Sequence, residues 1–272
     1  MARAVFTSML TNTKALFVSL LKASGADLVC DVGSRDGAQS LLFRHLLPGA
    51  AVVAFEANPI NFELMQRNLA LTGQRIEMHP LAITNSNGVA KFHVTDVDYS
   101  GPSDNHGTSS LLVHDGLQIL KSVEVETKRL DDFVLARFPE AGTVGLWIDV
   151  EGVEYGVLDG ILKIKERVIA AHVETAKTPM RHGQRTFPEV AALMESYGFV
   201  VVGSNIAPES NWGDVVFVAR EFIQEHPFRH RVCRIKGLLS AIARVDHIAV
   251  FLKAHCRPAY KILRRLYIWL WP

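Results

Sequence analysis

Cysteine is scarce: only Cys30, Cys233 and Cys256 occur in 272 residues. They are too few and too scattered for a disulfide framework or a zinc cluster, so a packed core must hold the fold, and a reducing compartment is the default setting. Cys30 lies in an apolar run and reads as a small core residue. Long apolar runs are also missing. No stretch of about 18 uncharged apolar residues exists, which argues against a spanning helix. The segment ALFVSLL near the N-terminus is shorter than the apolar centre of a secretory signal, and apolar residues at helical spacing over 3–22 predict an amphipathic leading helix instead. There is no internal repeat and no low-complexity segment. What remains is ordinary globular material, 49% hydrophobic and 21% charged, in a chain long enough to bury a core unaided.

A strong net charge is absent too, but the total of +1 hides an asymmetry. Residues 221–272 carry ten Lys/Arg and three Asp/Glu, a net of +7; the remaining 19 basic and 25 acidic residues give −6. Body and tail therefore face different surroundings. The spacing predicts three parts: a leading helix over 1–24, a main domain over 25–220 and a basic helical tail over 221–272.

Within the main domain, DLVCDVG (27–33) is a short apolar run ending in Asp and Gly, a strand entering a loop. GAQSLLFRHLL reads as a helix, AAVVAFEANP (50–59) as a second buried strand, and INFELMQRNLALTG as a helix closed by Gly73. Strands alternating with helices at this spacing imply right-handed crossovers and a parallel sheet. RIEMHPLAIT reads as a third strand, and NSNG followed by the alternating VAKFHV as a hairpin. Residues 96–110 form a polar loop with His106 and the paired Ser109–Ser110, either a cover for a site or a plain linker. After VEVETKRL and a short helix at LDDFVLARF come the strand TVGLWIDV, the helix EYGVLDGILKI, the strand RVIAAHVET, the helix TFPEVAALMESYGF and two last strands, VVVGSN and DVVFVAR. The expected fold is a doubly wound, mostly parallel sheet of about seven strands with an antiparallel insertion.

A strand, a glycine turn and a helix together offer backbone N–H groups to an anionic ligand. Glu56, closing the second strand, is placed to accept the two ribose hydroxyls of an adenosine cofactor. NAD and S-adenosylmethionine are the candidates. The turn DVGSRDG has Gly33 and Gly37 but Arg35 where a dinucleotide site needs its second glycine. Asp31 adds a negative charge that repels a pyrophosphate and attracts a methionyl ammonium. The spacing therefore favours S-adenosylmethionine; the bland alternative is a tight turn and a solvated strand end.

Five blocks then occur in order. DVGSRDGAQS is similar to DVGANxGxxS, AFEANPINFELMQRN carries FEANP for FEPNP, RLDDF matches LDDF, WIDVEGVEYGVLDG is similar to KIDVEGxExxVLxG, and AHVET follows. This set, over roughly 27–218, resembles the FkbM-type S-adenosylmethionine-dependent methyltransferases. The resemblance implies a Rossmann-like class I methyltransferase fold and methyl transfer to a hydroxyl oxygen, with sugars, glycans and polyketide-derived metabolites among family substrates. It implies a cofactor site from Asp31, Gly33, Ser34, Gly37 and Ser40 of the first motif and Glu56, Ala57 and Asn58 of the second. Two departures stand out: Trp147 replaces a common lysine, and SRDG brings Arg35 and Asp36 into the cofactor loop.

Ligands of open α/β sheets lie beyond the carboxyl ends of the strands. That edge receives Asp149 and Glu151 from one strand and His172 and Glu174, on one face by period two, from the next. An alcohol loses its proton as it attacks a methyl group, and these four residues are the candidate bases. Three have a structural alternative: turn binding for Asp149, helix-dipole pairing for Glu151 and core packing for His172, whose face Glu174 shares. Glu154 reads as a solvated first-turn charge. Asp149, Glu151 and Glu174 also admit a divalent cation without requiring one; no metal ligand is assigned from sequence.

The tail carries helical apolar spacing over 231–252 and then AYKILRRLYIWLWP, whose basic residues, Trp and Tyr suit either a membrane interface or packing on the domain or a second copy. An acidic body and the lack of a recognised module argue against nucleic acid. The reading is a cytoplasmic O-methyltransferase of a sugar, glycan or glycolipid, peripheral membrane contact being one option. Its alternatives are a small-metabolite O-methyltransferase, a non-catalytic cofactor-binding module and, more distantly, an NAD oxidoreductase.

Overall fold

A computed structural model describes residues 12–225, apart from 96, 99–100, 103–106 and 208. The segment 1–11, His106 and the tail beyond Glu225 lie outside the described residues, and with them the expectations about the start of the leading helix, the His106 loop and the tail.

The first helix, α1 (Thr13–Ser24), is capped by Asn12, whose Oδ1 accepts the Ala15 N–H at 3.0 Å, and closed by Gly25 in the left-handed region. Leu16, Phe17, Leu20 and Leu21 are buried. They pack against Val29, Phe43, Val52, Val216 and Val218, so the helix is one layer of the same unit as the sheet. Burying Phe17 completely contributes about 2–3 kcal/mol.

The chain then alternates as expected. β1 (Leu28–Val32), α2 (Ala38–Leu46), β2 (Ala51–Phe55), α3 (Pro59–Arg67) and β3 (Ile76–His79) form the first half. Asn58 caps α3, with Pro59 at its first position. The predicted third strand is broken at Pro80: β3 stays in the main sheet, and β4 (Ala82–Thr84) joins a second one. β5 (Gly88–Thr95) follows NSNG, yet it does not pair with β4. The long β8 (Ile119–Arg129) lies between them, parallel to β4 and antiparallel to β5. The expected hairpin is thus a three-stranded patch closed by a distant partner. β6 (Val97–Asp98) and β7 (Gly101–Pro102) make a small pair at its end.

The second half comprises α4 (Leu130–Arg137), β9 (Val144–Ile148), α5 (Glu154–Asp159), a 3₁₀ turn over Leu162–Arg167, β10 (Val168–Ala176), α6 (Phe187–Ser196), β11 (Phe199–Ser204), β12 (Trp212–Ala219) and α7 (Arg220–Glu225). Thr186 and Glu189 form a capping box at α6. The seven-stranded sheet runs β11-β12-β10-β9-β1-β2-β3, with β12 antiparallel to its two neighbours. This is a Rossmann-like, doubly wound sheet with an antiparallel insertion, as the pattern predicted. α1 and α2 cover one face; α4, α5 and α6 cover the other. β1 and β9 lie side by side at the centre, with Val32 opposite Ile148. The loops leaving them meet above the carboxyl edge. Among the described residues no helix is long and apolar enough to cross a membrane.

Candidate active site

The loop after β1 turns on Gly33, whose φ is +86°. A Cβ there would lie 1.7 Å from the Asp149 carbonyl oxygen, so only glycine lets the β1 and β9 loops touch. Asp149 is tied to the same place by its N–H, which donates to the Val32 carbonyl at 2.9 Å. Gly37 is also left-handed, and a Cβ there would press into Leu71.

Asp31 is buried, and its Oδ2 accepts the Ser40 hydroxyl at 2.5 Å. The Ser34 hydroxyl donates to the Asp31 carbonyl at 2.9 Å. The other carboxylate oxygen, Oδ1, is buried with no hydrogen-bond partner, a costly state that a ligand donor would relieve. Burial pushes the Asp31 pKa up to about 6, against the Ser40 and Ser34 hydroxyls.

Glu56 closes β2. Its two oxygens accept the backbone N–H groups of Arg35 and Asn58, each at 2.7 Å. Burial raises its pKa to about 7. Glu56, Ala57 and Gly33 line a cavity of about 250 Å³ whose far wall is apolar, with Phe55, Leu81, Ile83 and Phe92. Asn58 is fully buried and works as a cap: its Oδ1 accepts the Ile60 N–H, and its amide donates to the Ser109 hydroxyl at 3.3 Å. Thr108 and Ser109 close the cavity from the insertion side.

A second cavity opens on the α1 side of the Gly33 loop. It is lined by Thr13, Asp31, Asp149, Glu174 and Asp214 together with the rings of Trp147 and His172. Gly33, Arg35 and Asp149 border both cavities.

Three of the four candidate bases meet here. One carboxylate oxygen from each of Asp149, Glu151 and Glu174 lies within 4.8 Å of the others. Enclosure by protein raises the pKa of Asp149. Burial and then the Asp149 charge raise Glu174 further, and the two carboxyls hydrogen-bond each other. Two enclosed carboxyls this close oppose each other's ionisation. Glu151 forms an ion pair with Arg181, Oε2 to Nη2 at 2.5 Å, and burial followed by the Asp149 charge lifts it to about 7. Glu151 has a left-handed φ of +56°, as does Arg35. Such conformations cost roughly 1–3 kcal/mol in a residue with a side chain, so both loops beside the cavities are strained.

His172 stands apart from that cluster. Its ring lies flat on Trp147, centroids 3.6 Å apart and planes 8° from parallel, with Phe17 at its edge. Nε2 pairs with the Thr13 hydroxyl at 3.1 Å, and Nδ1 is buried without a partner. Burial drives its pKa down to about 3, assisted by Lys14. A neutral, stacked imidazole on the cavity floor is packing and hydrogen bonding for α1, where the strand pattern alone put it beside Glu174 as a base.

Glu154 corrects another expectation. It opens α5, but it is 2% exposed. Its Oε1 accepts the Gly152 N–H at 2.7 Å, Oε2 is without a partner, and burial pushes its pKa up to about 7. The turn through Glu151 and Gly152 folds α5's first residue back under the cluster rather than out to solvent.

Sequence reasoning missed Arg181 and Asp214. Arg181 comes from the TPMRHGQR loop, which carries no motif. Its guanidinium is nearly buried and bridges Glu151 to the Thr108 carbonyl at 3.0 Å, and the next residue's N–H donates to Val113. Asp214 faces the site because β12 pairs Asp214 with Glu174, a register no local pattern reveals.

A family model described as the methyltransferase FkbM domain matches residues 31–201. A 2-O-methyltransferase, NoeI, of Sinorhizobium fredii is 26% identical over 193 residues, covering 67% of this chain and 76% of its own. Methyltransferase 1 of Beauveria bassiana is 28% identical over 189 residues, covering 64% of this chain and 72% of its own. Among solved structures, the FkbM methyltransferase of Methylobacillus flagellatus is 14% identical with a TM-score of 0.44, over 71% of this chain and 44% of that one.

Proposed function

The chain belongs to the FkbM methyltransferase family and is an S-adenosylmethionine-dependent methyltransferase; from that premise we propose that it methylates a hydroxyl oxygen of a sugar, glycan or glycolipid. The residues fit the cofactor on two counts. Asp31 Oδ1 is a buried acceptor lacking a donor, which a methionyl ammonium would supply. Glu56 ends β2 beside an apolar-walled cavity, as an adenosine requires. Asp31, Gly33, Ser34, Gly37 and Ser40 would hold the methionyl side, and Glu56 and Ala57 the ribose and adenine. Asn58 would act through the Glu56 backbone contact and the α3 cap. When bound, the cofactor supplies an electrophilic methyl group on a sulfonium.

The observation that carries the acceptor class is the set of carboxylates and the hydroxyl lining the second cavity. The cavity's walls away from the glycine loop combine the hydrogen-bonding groups of Thr13, Glu174 and Asp214 with the rings of Trp147 and His172. Such walls suit a polyhydroxylated acceptor better than an apolar metabolite. The clustered Asp149 and Glu174 carboxyls offer that acceptor several oxygens for hydrogen bonding. Asp149, bordering both cavities, would accept the hydroxyl proton as the methyl group passes from the sulfonium sulfur to the acceptor oxygen. Glu174 orients Asp149 and, with Arg181 on Glu151, keeps the cluster's charge tolerable. The name of the S. fredii relative, a 2-O-methyltransferase, supports an oxygen acceptor. Incubation with labelled cofactor and separate sugar, lipid-linked glycan and polyketide panels tests this. Label in the sugar or glycan fractions is expected, and label confined to the polyketide panel would replace the acceptor class.

A further inference from the structure

Seven large apolar side chains are exposed among the described residues, and Trp212 alone of them is aromatic. Scattered aliphatic exposure is ordinary. An indole left 46% exposed is not, because so large an apolar surface gains much from burial. Its place is informative as well. Trp212 opens β12 opposite Ala176, at the carboxyl edge of the sheet. It lines a cleft with Glu174, Arg181 and Gln184. None of the other six exposed side chains borders this cleft or the two cavities. Period two puts Trp212 and Asp214 on the face where Val216 and Val218 pack under α1. Asp214 pairs with Glu174, so Trp212 and Glu174 are diagonal neighbours, about 7–8 Å apart at the backbone and within reach of an aromatic side chain.

The cofactor has no use for this indole. β12 lies four strand spacings from β2, about 19 Å, too far to stack on an adenine held at Glu56. Two spacings, about 10 Å, separate it from the strand that carries Asp149, which is where an acceptor lies. The backbone around Trp212 is already fixed. The Asn211 amide accepts the Thr178 N–H and hydroxyl and donates to the Thr178 carbonyl, and the Asn205 amide donates to the Asp214 carboxylate at 2.7 Å. A ligand arriving there orders little. We propose, resting on the sugar reading above, that Trp212 is the specificity-determining platform on which a pyranose ring of the acceptor lies, with Asp214 and Glu174 hydrogen-bonded to its hydroxyls. A pyranose carries C–H bonds on its flat faces and hydroxyls at its rim. Its C–H hydrogens meet the negative face of the indole, and its rim hydroxyls meet the carboxylates. An apolar acceptor needs enclosing apolar walls, and Glu151, Glu174, Arg181 and Gln184 stand beside the indole instead.

Saturation-transfer NMR on the full chain, with S-adenosylhomocysteine and a set of methyl pyranosides at about 10 mM, is the test. The ring C–H protons of at least one pyranoside should receive saturation. Trp212→Ala should abolish it and Trp212→Tyr should keep it, while calorimetry shows the same affinity for S-adenosylhomocysteine in all three proteins. On a sugar or glycan that takes up label, KM should rise at least about tenfold in Trp212→Ala with kcat little changed, and Trp212→Tyr should recover most of the loss. No saturation of any pyranoside by the unmodified chain overturns the proposal, and so does saturation that persists in Trp212→Ala. Loss of S-adenosylhomocysteine affinity in both variants also overturns it, because Trp212 then serves packing. Labelled sugars with a KM that Trp212→Ala leaves unchanged remove the platform and keep the sugar reading. Label confined to polyketides removes the sugar reading and the platform with it.

Discussion

At the scale of single residues the site is made of carboxylates held away from their ordinary protonation. Glu56 is the most direct case, because two backbone N–H groups fix its carboxylate beside the cavity proposed for the adenosine. Glu56→Gln keeps the shape and removes the charge. Charge-assisted hydrogen bonds contribute about 1.5–3 kcal/mol, so calorimetry should show S-adenosylhomocysteine binding roughly ten- to a hundredfold weaker; unchanged affinity would remove Glu56 from the site. Gly33 makes a different prediction. The carbonyl of Asp149 occupies the space of its missing Cβ, so Gly33→Ala must push the β1 and β9 loops apart. A loss of more than about 1 kcal/mol in urea unfolding is expected, together with loss of cofactor binding. A fully stable Gly33→Ala would contradict the loop contact.

At the scale of elements, most of the architecture was legible before any coordinates. The alternation of apolar runs with amphipathic stretches placed β1, α2, β2, α3, β9, β10 and α6, because each buries a face with a clear period. Legibility failed where partners are distant in sequence. NSNG reads as a hairpin turn, but β8 comes between β4 and β5 from some forty residues away. Glu154 reads as a surface charge because helical spacing does not encode the left-handed turn at Glu151 and Gly152 that tucks it in. Asp31, Gly33 and Glu56 were legible because the glycine turn is a local device. Arg181 and Asp214 reach the site through tertiary pairing and left no trace in any motif. The capping box at α6 offers a control at this scale. Thr186→Ala should cost about 1 kcal/mol in thermal or urea unfolding while cofactor affinity stays the same; a parallel loss of affinity would tie α6 to the site.

For the whole molecule, the buried carboxyls make stability depend on pH in an unusual direction. Asp31, at about 6 against 3.8, and Glu56 and Glu154, each at about 7 against 4.5, keep protons in the folded state that the unfolded chain releases. Between roughly pH 4 and 7 the folded state binds more protons, so stability from these groups is full at the acid end and is lost as pH rises. His172 works the other way. Its folded value near 3 lies below 6.5, so its contribution is full above pH 6.5 and falls as the solution is acidified. The cofactor-free protein should therefore melt higher near pH 6 than near pH 8, and His172→Gln should raise stability near pH 5 relative to pH 8. A melting temperature that climbs steadily from pH 6 to 8 would contradict the buried, protonated carboxyls. The central claim is that one cofactor spans the two cavities across Gly33 and presents its methyl group to Asp149. A crystal structure with S-adenosylhomocysteine tests it most directly. The account predicts the adenosine against Glu56, the ammonium within hydrogen-bond reach of Asp31 Oδ1, and the sulfur facing the Asp149–Glu174 pair; a sulfur turned away from that pair, or an ammonium remote from Asp31, would contradict it.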